Sequence, residues 1–223
     1  MSPRPDERAP LPSPEADDAD ARERALADAL REVLERATSR AVDDATLARA
    51  HALASELASL LDGPVRERWY DVDAEAPERA GAKLHYEQMS PFRGRLNPLA
   101  PPMRVALSED GAQLVGRVRV ARRYEGPPHG VHGGVVAGLF DDLLGGAQML
   151  APPIGVTAKL DVVYRNITPV ETDLVLRAWI VDDGARHVRA RATCHAGDTL
   201  TAEANALFIR VDFREVEERG RAR

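Results

Sequence analysis

Residues 132–150 read HGGVVAGLFDDLLGGAQML, and the segments on either side of them are strand-like. Val136, Leu139, Leu143 and Leu150, with Phe140 flanking, fall on one side at about 100° per residue, so the segment predicts one helix over 133–150. Upstream, 103–107 and 113–122 alternate around Asp110-Gly111, a hairpin signal. Downstream, 154–165, 172–181, 187–196 and 200–213 are strand-like, with Asp183-Gly184 and Gly197-Asp198 as tight joints. A lone helix among antiparallel strands is best buried by a sheet that curls around it. The order therefore predicts an α+β chain, an antiparallel sheet wrapped around a long central helix.

The first 80 residues follow another pattern. Residues 1–20 are rich in proline and acid with almost nothing to bury, and are expected to be a disordered tail. Residues 21–80 are expected to form an N-terminal helical extension. Within it, 21–37 places Leu26, Leu30, Val33 and Leu34 at helical spacing. A second helix over 43–62 carries Leu47, Leu53, Leu57, Leu60 and Leu61, with Asp43 or Asp44 as cap and Gly63-Pro64 as stop. Two helices cannot enclose a core, so they are expected to pack on the main domain, 81–223, or on a second subunit. Residues 64–101 are less regular: 83–89 admits a strand, and 90–102, with Pro91, Pro98, Pro101 and Pro102, reads as a loop.

Charge and cysteine usage narrow the function. A net charge of −6 disfavours nucleic acid as a partner. The lone Cys194 cannot form an internal disulfide, which suits a reducing compartment, with cytoplasm as the default. The first residues lack the apolar stretch of a secretory signal, and no apolar run approaches the roughly 20 residues of a membrane span. His129, His187 and His195 show no metal spacing, and no phosphate-cradling lysine motif is present, so neither metal nor cofactor is expected. Cys194 alternates with Ala190 and Ala192 as a core residue would.

The chemistry concentrates on the predicted helix. Asp141 points away from the apolar stripe, among Gly134, Ala137, Gly138, Gly145 and Gln148. Each helical glycine costs about 1 kcal/mol relative to alanine, which a merely solvated face would not need. Such a strip of small residues admits a close-approaching backbone or ligand. His132-Gly133-Gly134 opens the helix, where the first N–H groups have no internal partner and the dipole is positive. In isolation this tripeptide is a flexible helix start; with a carboxylate nine residues after the histidine, it suits acyl transfer to water.

HGGVVAGLFDDLLGG, followed by GVTAKLDVVYRNITP and preceded by EGPPHGVHGG, resembles the PaaI-like (phenylacetate-degradation type) thioesterases of the hotdog superfamily over about residues 103–213. The resemblance implies a homodimer or homotetramer with intersubunit active sites that hydrolyse an acyl-CoA. It implies that the Gly133 N–H polarises the thioester carbonyl and that Asp141 of a second subunit is general base or nucleophile. Thr157 would supply a supporting hydroxyl, and His132 would shape the helix start. Gly134 and Gln148 would line the substrate strip. Asp142, about 100° around the helix, stands as rival acid, and the path from Tyr164 to Pro169 is slightly longer than the family pattern. Strict strand alternation puts Thr157 with Lys159, Asp161 and Arg165, opposite Val156, Ala158, Leu160, Val162 and Tyr164, which fits an intersubunit site or a plain surface threonine. Arg165 is the best candidate for CoA phosphates; Arg177, Arg189 and Arg191 on the outer sheet face more commonly mean a solvated surface. Two other readings stay open: a non-catalytic acyl-CoA sensor or assembly protein, and a hotdog hydratase or dehydratase using His132.

Overall fold

The computed structural model describes residues 14–67, 72 and 78–211. Among the described residues there are four α-helices, α1 (Pro14–Ser39), α2 (Asp44–Leu60), α3 (Glu78–Gln88) and α4 (Gly133–Ala147). Six strands follow the same chain order: β1 (Arg104–Leu107), β2 (Leu114–Arg119), β3 (Gly155–Tyr164), β4 (Asp173–Asp183), β5 (His187–Ala196) and β6 (Thr199–Arg210). They make one antiparallel sheet in the order β1-β2-β4-β5-β6-β3. The sheet wraps α4, as expected for a hotdog fold with an N-terminal helical extension.

Packing explains the wrap. From α4, Val136, Leu139, Phe140, Leu143, Leu144 and Ala147 are all buried. Beneath them β5 and β6 present Ala190, Ala192, Ala202, Ala204 and Ala206, each at most 5% exposed. Alanine is a weak strand former, but opposite a helix of leucine and phenylalanine it leaves the volume those side chains need. Phe208, Leu174 and Leu176 are buried in the same core. Gly111 (φ 69°) and Gly197 (φ 57°) take the left-handed conformation as anticipated, whereas Gly184 at the Asp183-Gly184 joint does not. The helix ends earlier than periodicity suggests, passing into a 3-10 turn over Gln148–Leu150, and Leu150 is only partly buried.

Several expectations are corrected. Residues 83–89 are not a strand: they lie largely in α3, whose ERAGAKLHYEQ contains no β-branched residue and several strong helix formers. The first helix begins at Pro14, so 14–20 are helical, and residues 1–13 lie outside the described residues. Residues 212–213 of the last expected strand also lie outside them. Asp43, not Asp44, caps α2, its side chain accepting from the Thr46 N–H at 2.7 Å. No residue of α2 is buried, and Leu47, Leu53 and Leu60 are 54%, 55% and 75% exposed.

The α1 helix packs on the domain through a cation. Arg31 is buried and donates to the carbonyls of Gly94 (3.1 Å), Arg95 (2.9 Å), Asn97 (2.8 Å) and Ala100 (3.3 Å), while pairing with Asp28 at 2.6 Å. Burial of the guanidinium is offset because its donors are satisfied. The same segment sends Phe92 onto α4. A Cβ on Gly138 would lie 2.0 Å from the Phe92 ring. Gly138→Ala is therefore expected to destabilise the fold by about 1–3 kcal/mol through overpacking. Adding Phe92→Ala should cost less than the two single losses combined, as read by urea denaturation in a double-mutant cycle.

Candidate functional site

The start of α4 is held from both sides. His132 is the N-cap, with its Nδ1 accepting from the Gly134 N–H at 3.0 Å. Nδ1 is thus unprotonated, and a neutral ring carries its proton on Nε2. The preceding loop is pinned by Val131 N–H to Thr168 O (2.7 Å) and His132 N–H to Tyr124 O (2.8 Å). Tyr164 donates its hydroxyl to Gly133 O at 2.8 Å, and its ring would lie 3.3 Å from a Cβ on Gly133. Val135 and Val136 N–H both turn back to His132 O. Among the described residues, no acceptor meets the Gly133 N–H. It borders a cleft of about 550 Å³ lined by Pro127, Val131, Val136, Tyr164 and Ile167, with Arg165 and Asn166 among its polar lining. Arg165 is bound to Glu203, its Nε donating to Oε1 at 2.9 Å.

Two turns along the helix, Asp141 accepts from Thr157 Oγ1 at 3.1 Å. Simple alternation separates Thr157 from Leu160, Val162 and Tyr164. The ladder shows why it fails: Thr157 pairs with Phe208 and Lys159 with Leu207, leaving Ala158 as a bulge. Phe208 and the partners of Leu160, Val162 and Tyr164, namely Ala206, Ala204 and Ala202, are all buried. The extra residue therefore switches the phase and brings Thr157 onto the helix-facing side.

Asp142 has different surroundings. Ser90 Oγ donates to its Oδ1 at 2.7 Å, and Arg93 Nε lies 3.5 Å from Oδ2, which has no hydrogen bond. Burial holds its carboxyl above the usual 3.8, against the opposing effects of Ser90 and Arg93. Gln148 is also committed: it is buried, accepting from Gly155 N–H at 2.7 Å and donating to Gly155 O at 3.3 Å. The amide fastens the end of α4 to the start of β3. Gly134 and Gly145 remain open, with no side chain but His132 near the first and nothing within 4 Å of the second. Ser90, Phe92 and Arg93 were missed as neighbours of the helix; the Ser-Pro-Phe turn announces a loop and not its destination. Cys194 is buried, which pushes its thiol up to about 11 and makes it a poor nucleophile.

No protein-family model matches the chain. Solved structures resemble it. A thioesterase superfamily protein is 26% identical, over 84% of this chain and 90% of its own, with a TM-score of 0.72. That coverage is more than the stretch from β1 to β6, so the likeness extends into the helices before it. Zebrafish thioesterase superfamily member 2 is 21% identical over 59% of this chain and 96% of its own, with a TM-score of 0.47. A phenylacetic acid degradation-related protein of Ralstonia eutropha is 16% identical over 61% and 94%, with a TM-score of 0.45. The last two scores are too low to carry structural weight.

The raised pKa of Asp142 has a pH consequence. Between 3.8 and the higher folded value, the native state holds more protons than the unfolded one, so stability falls as pH rises through that window. Asp142→Asn, which can keep the bond from Ser90, is expected to flatten this fall and to match or exceed the wild type at pH 7. Urea denaturation from about pH 3.5 to about pH 8 checks it.

Proposed function

We propose that this chain, which has the hotdog fold of the thioesterase superfamily, hydrolyses an acyl-CoA thioester to a free acid and coenzyme A. The unclaimed Gly133 N–H at the positive end of α4, opening into an apolar cleft, carries the reading. A thioester carbonyl oxygen placed there accepts that N–H, and the charge that develops on it is stabilised where it forms. The 26% identical thioesterase superfamily structure supports the class of reaction.

The acid comes from elsewhere in the assembly. Gly133 and Asp141 are eight residues apart on one helix, about 12 Å, too far to serve one carbonyl. A second copy of the chain, as a homodimer or within a homotetramer, brings its Asp141 to the first copy's Gly133. Thr157 holds that carboxylate by hydrogen bond. Asp141 either takes a proton from water as the water oxygen bonds to the carbonyl carbon, or attacks that carbon itself to form an anhydride that water then opens. In both routes the C–S bond breaks as the oxyanion collapses, and the thiolate of CoA leaves and is protonated. His132 sets the helix start, Gly134 keeps the approach open, and Arg165 at the cleft offers a cation to CoA phosphates in exchange with Glu203. Asp142, turned to Ser90 and Arg93, shapes the helix and does not meet substrate. A hydratase using His132 is disfavoured because its Nδ1 is already engaged by Gly134. The unburied leucines of α2 are what favours a sensor or assembly role, with ligand binding and no turnover as its signature.

Release of free thiol from short, medium, long and aryl acyl-CoAs tests the proposal. Asp141→Asn is expected to lower kcat by about 10²–10⁴-fold, with Asp142→Asn retaining activity. Gly133→Pro is a cleaner test of the donor. Proline is tolerated at the first helical position, and the His132 ψ of 132° suits a residue before proline. It removes the N–H but also adds ring carbons, its Cβ meeting the Tyr164 ring at 3.3 Å, so Gly133→Ala, which adds the same Cβ and keeps the N–H, is the control. A loss of about 10²–10³-fold in kcat beyond that of Gly133→Ala, with the helix retained, is expected. Full activity in Gly133→Pro would sink the role given to that N–H. In single turnover in ¹⁸O-water, label in the Asp141 carboxylate identifies the nucleophilic route.

A further inference from the structure

We propose that the outer face of the sheet carries a second site, built by Arg104, Arg117 and Arg177, for a small phosphate-bearing anion. Arg104 of β1 and Arg117 of β2 are direct cross-strand partners, so both side chains stand on the same face. Arg177 of β4 pairs with Val115, two residues from Arg117, and so is its diagonal neighbour. All three are exposed, and they line one groove of about 600 Å³ together with Val115 and Leu107.

Like charges placed directly opposite across a ladder are destabilising. The chain as a whole has a charge of −6, so this is no general basic surface. Of the other arginines on this face, Arg119 has Asp173 at 3.7 Å and Arg189 has Asp182 at 3.8 Å, while Arg191 on β5 has no ion pair among the described residues and does not line the groove. Among the described residues, Arg104, Arg117 and Arg177 form no ion pair. Two acids border the groove. Asp110 is turned into its own hairpin, accepting from Ser108 Oγ at 2.6 Å and Ala112 N–H at 3.1 Å. Glu109 lines the groove without pairing to any of the three.

Guanidinium forks match phosphate oxygens two at a time, and three of them suit a dianion or a polyphosphate better than a monocarboxylate. The groove volume is that of a small-molecule site, and its apolar strip admits an organic portion. The ligand could be a free phosphate ester or the phosphates of CoA itself. It is not the CoA reacting in the same chain's cleft. β1 and β3 are the two edges of a six-stranded sheet, roughly 24 Å apart measured along the curled sheet at the usual strand spacing, and α4 lies on the other face. The site therefore stands apart from the thioesterase reading and can be tested without turnover.

The test is thermal melting of the full chain at low ionic strength, titrated with inorganic phosphate, ADP or CoA against matched chloride. A saturable rise in Tm is expected in the wild type. Arg117→Ala and Arg104→Ala should each weaken binding at least tenfold, yet without anion should melt above the wild type, because each relieves repulsion. Arg189→Ala should leave binding unchanged. Saturation by phosphate alone points to the phosphoryl group as sufficient. Tighter binding of ADP or of CoA identifies an organic phosphate and separates a free nucleotide from the coenzyme. The proposal fails if chloride reproduces the rise, if the arginine variants bind as the wild type does, or if they melt lower without anion. It also fails if sedimentation shows an assembly dispersed by Arg117→Glu with no anion binding in the wild type, since a partner's carboxylates would then cover the patch.

Discussion

The contact between α4 and the alanine-lined strands beneath it is what the remaining architecture depends on. Large side chains on the helix meet small ones on β5 and β6, so the helix sinks into the sheet and the sheet closes around it. That burial occupies one side of α4 and fixes its axis. The other side is then free to be graded by position: loop residues over Gly138 and Asp142, open space beside Gly145, and β3 against Asp141.

Two adjacent carboxylates on one helix end in unlike settings because 100° of rotation separates them. Asp141 meets a hydroxyl on an exposed edge strand. Asp142 meets a serine and an arginine in a half-closed turn, where burial works against its charge. Their difference lies in neither residue but in which segment each one faces. The edge strand β3, exposed over most of its length, leaves one side of the Asp141 region open, in keeping with the intersubunit arrangement proposed.

Much of this was legible in the chain. The period of α4, the alternation of β4, β5 and β6 and the glycine turns identify the fold, since each is written in local spacing. His132 at the N-cap and Asp141 on the small-residue face could be picked out for the same reason. What alternation could not supply was the bulge at Ala158, because nothing in GVTAKLDVVY marks the residue that β6 will skip. The anchoring of Gln148 leaves no sequence signal because its partner is the backbone of Gly155, a group common to every residue. The positions of Ser90, Phe92 and Arg93 depend on contacts more than forty residues away in sequence (Ser90 to Asp142 spans 52), and such contacts leave no local period. Leu84 and Tyr86 alternate with Lys83, His85 and Glu87, a run too short to separate a strand from the helix α3 that it forms.

The Arg31 fan bears on where this domain begins. A single guanidinium gathers four peptide carbonyls from residues 94–100 that point inward and have α1 as their cover. A chain trimmed to the strands and the central helix would leave those oxygens facing a gap, and the segment that seats Phe92 on Gly138 would lose its anchor. The helix at the amino end thus holds the loop that covers α4, and a boundary drawn at the first strand would cut through that contact.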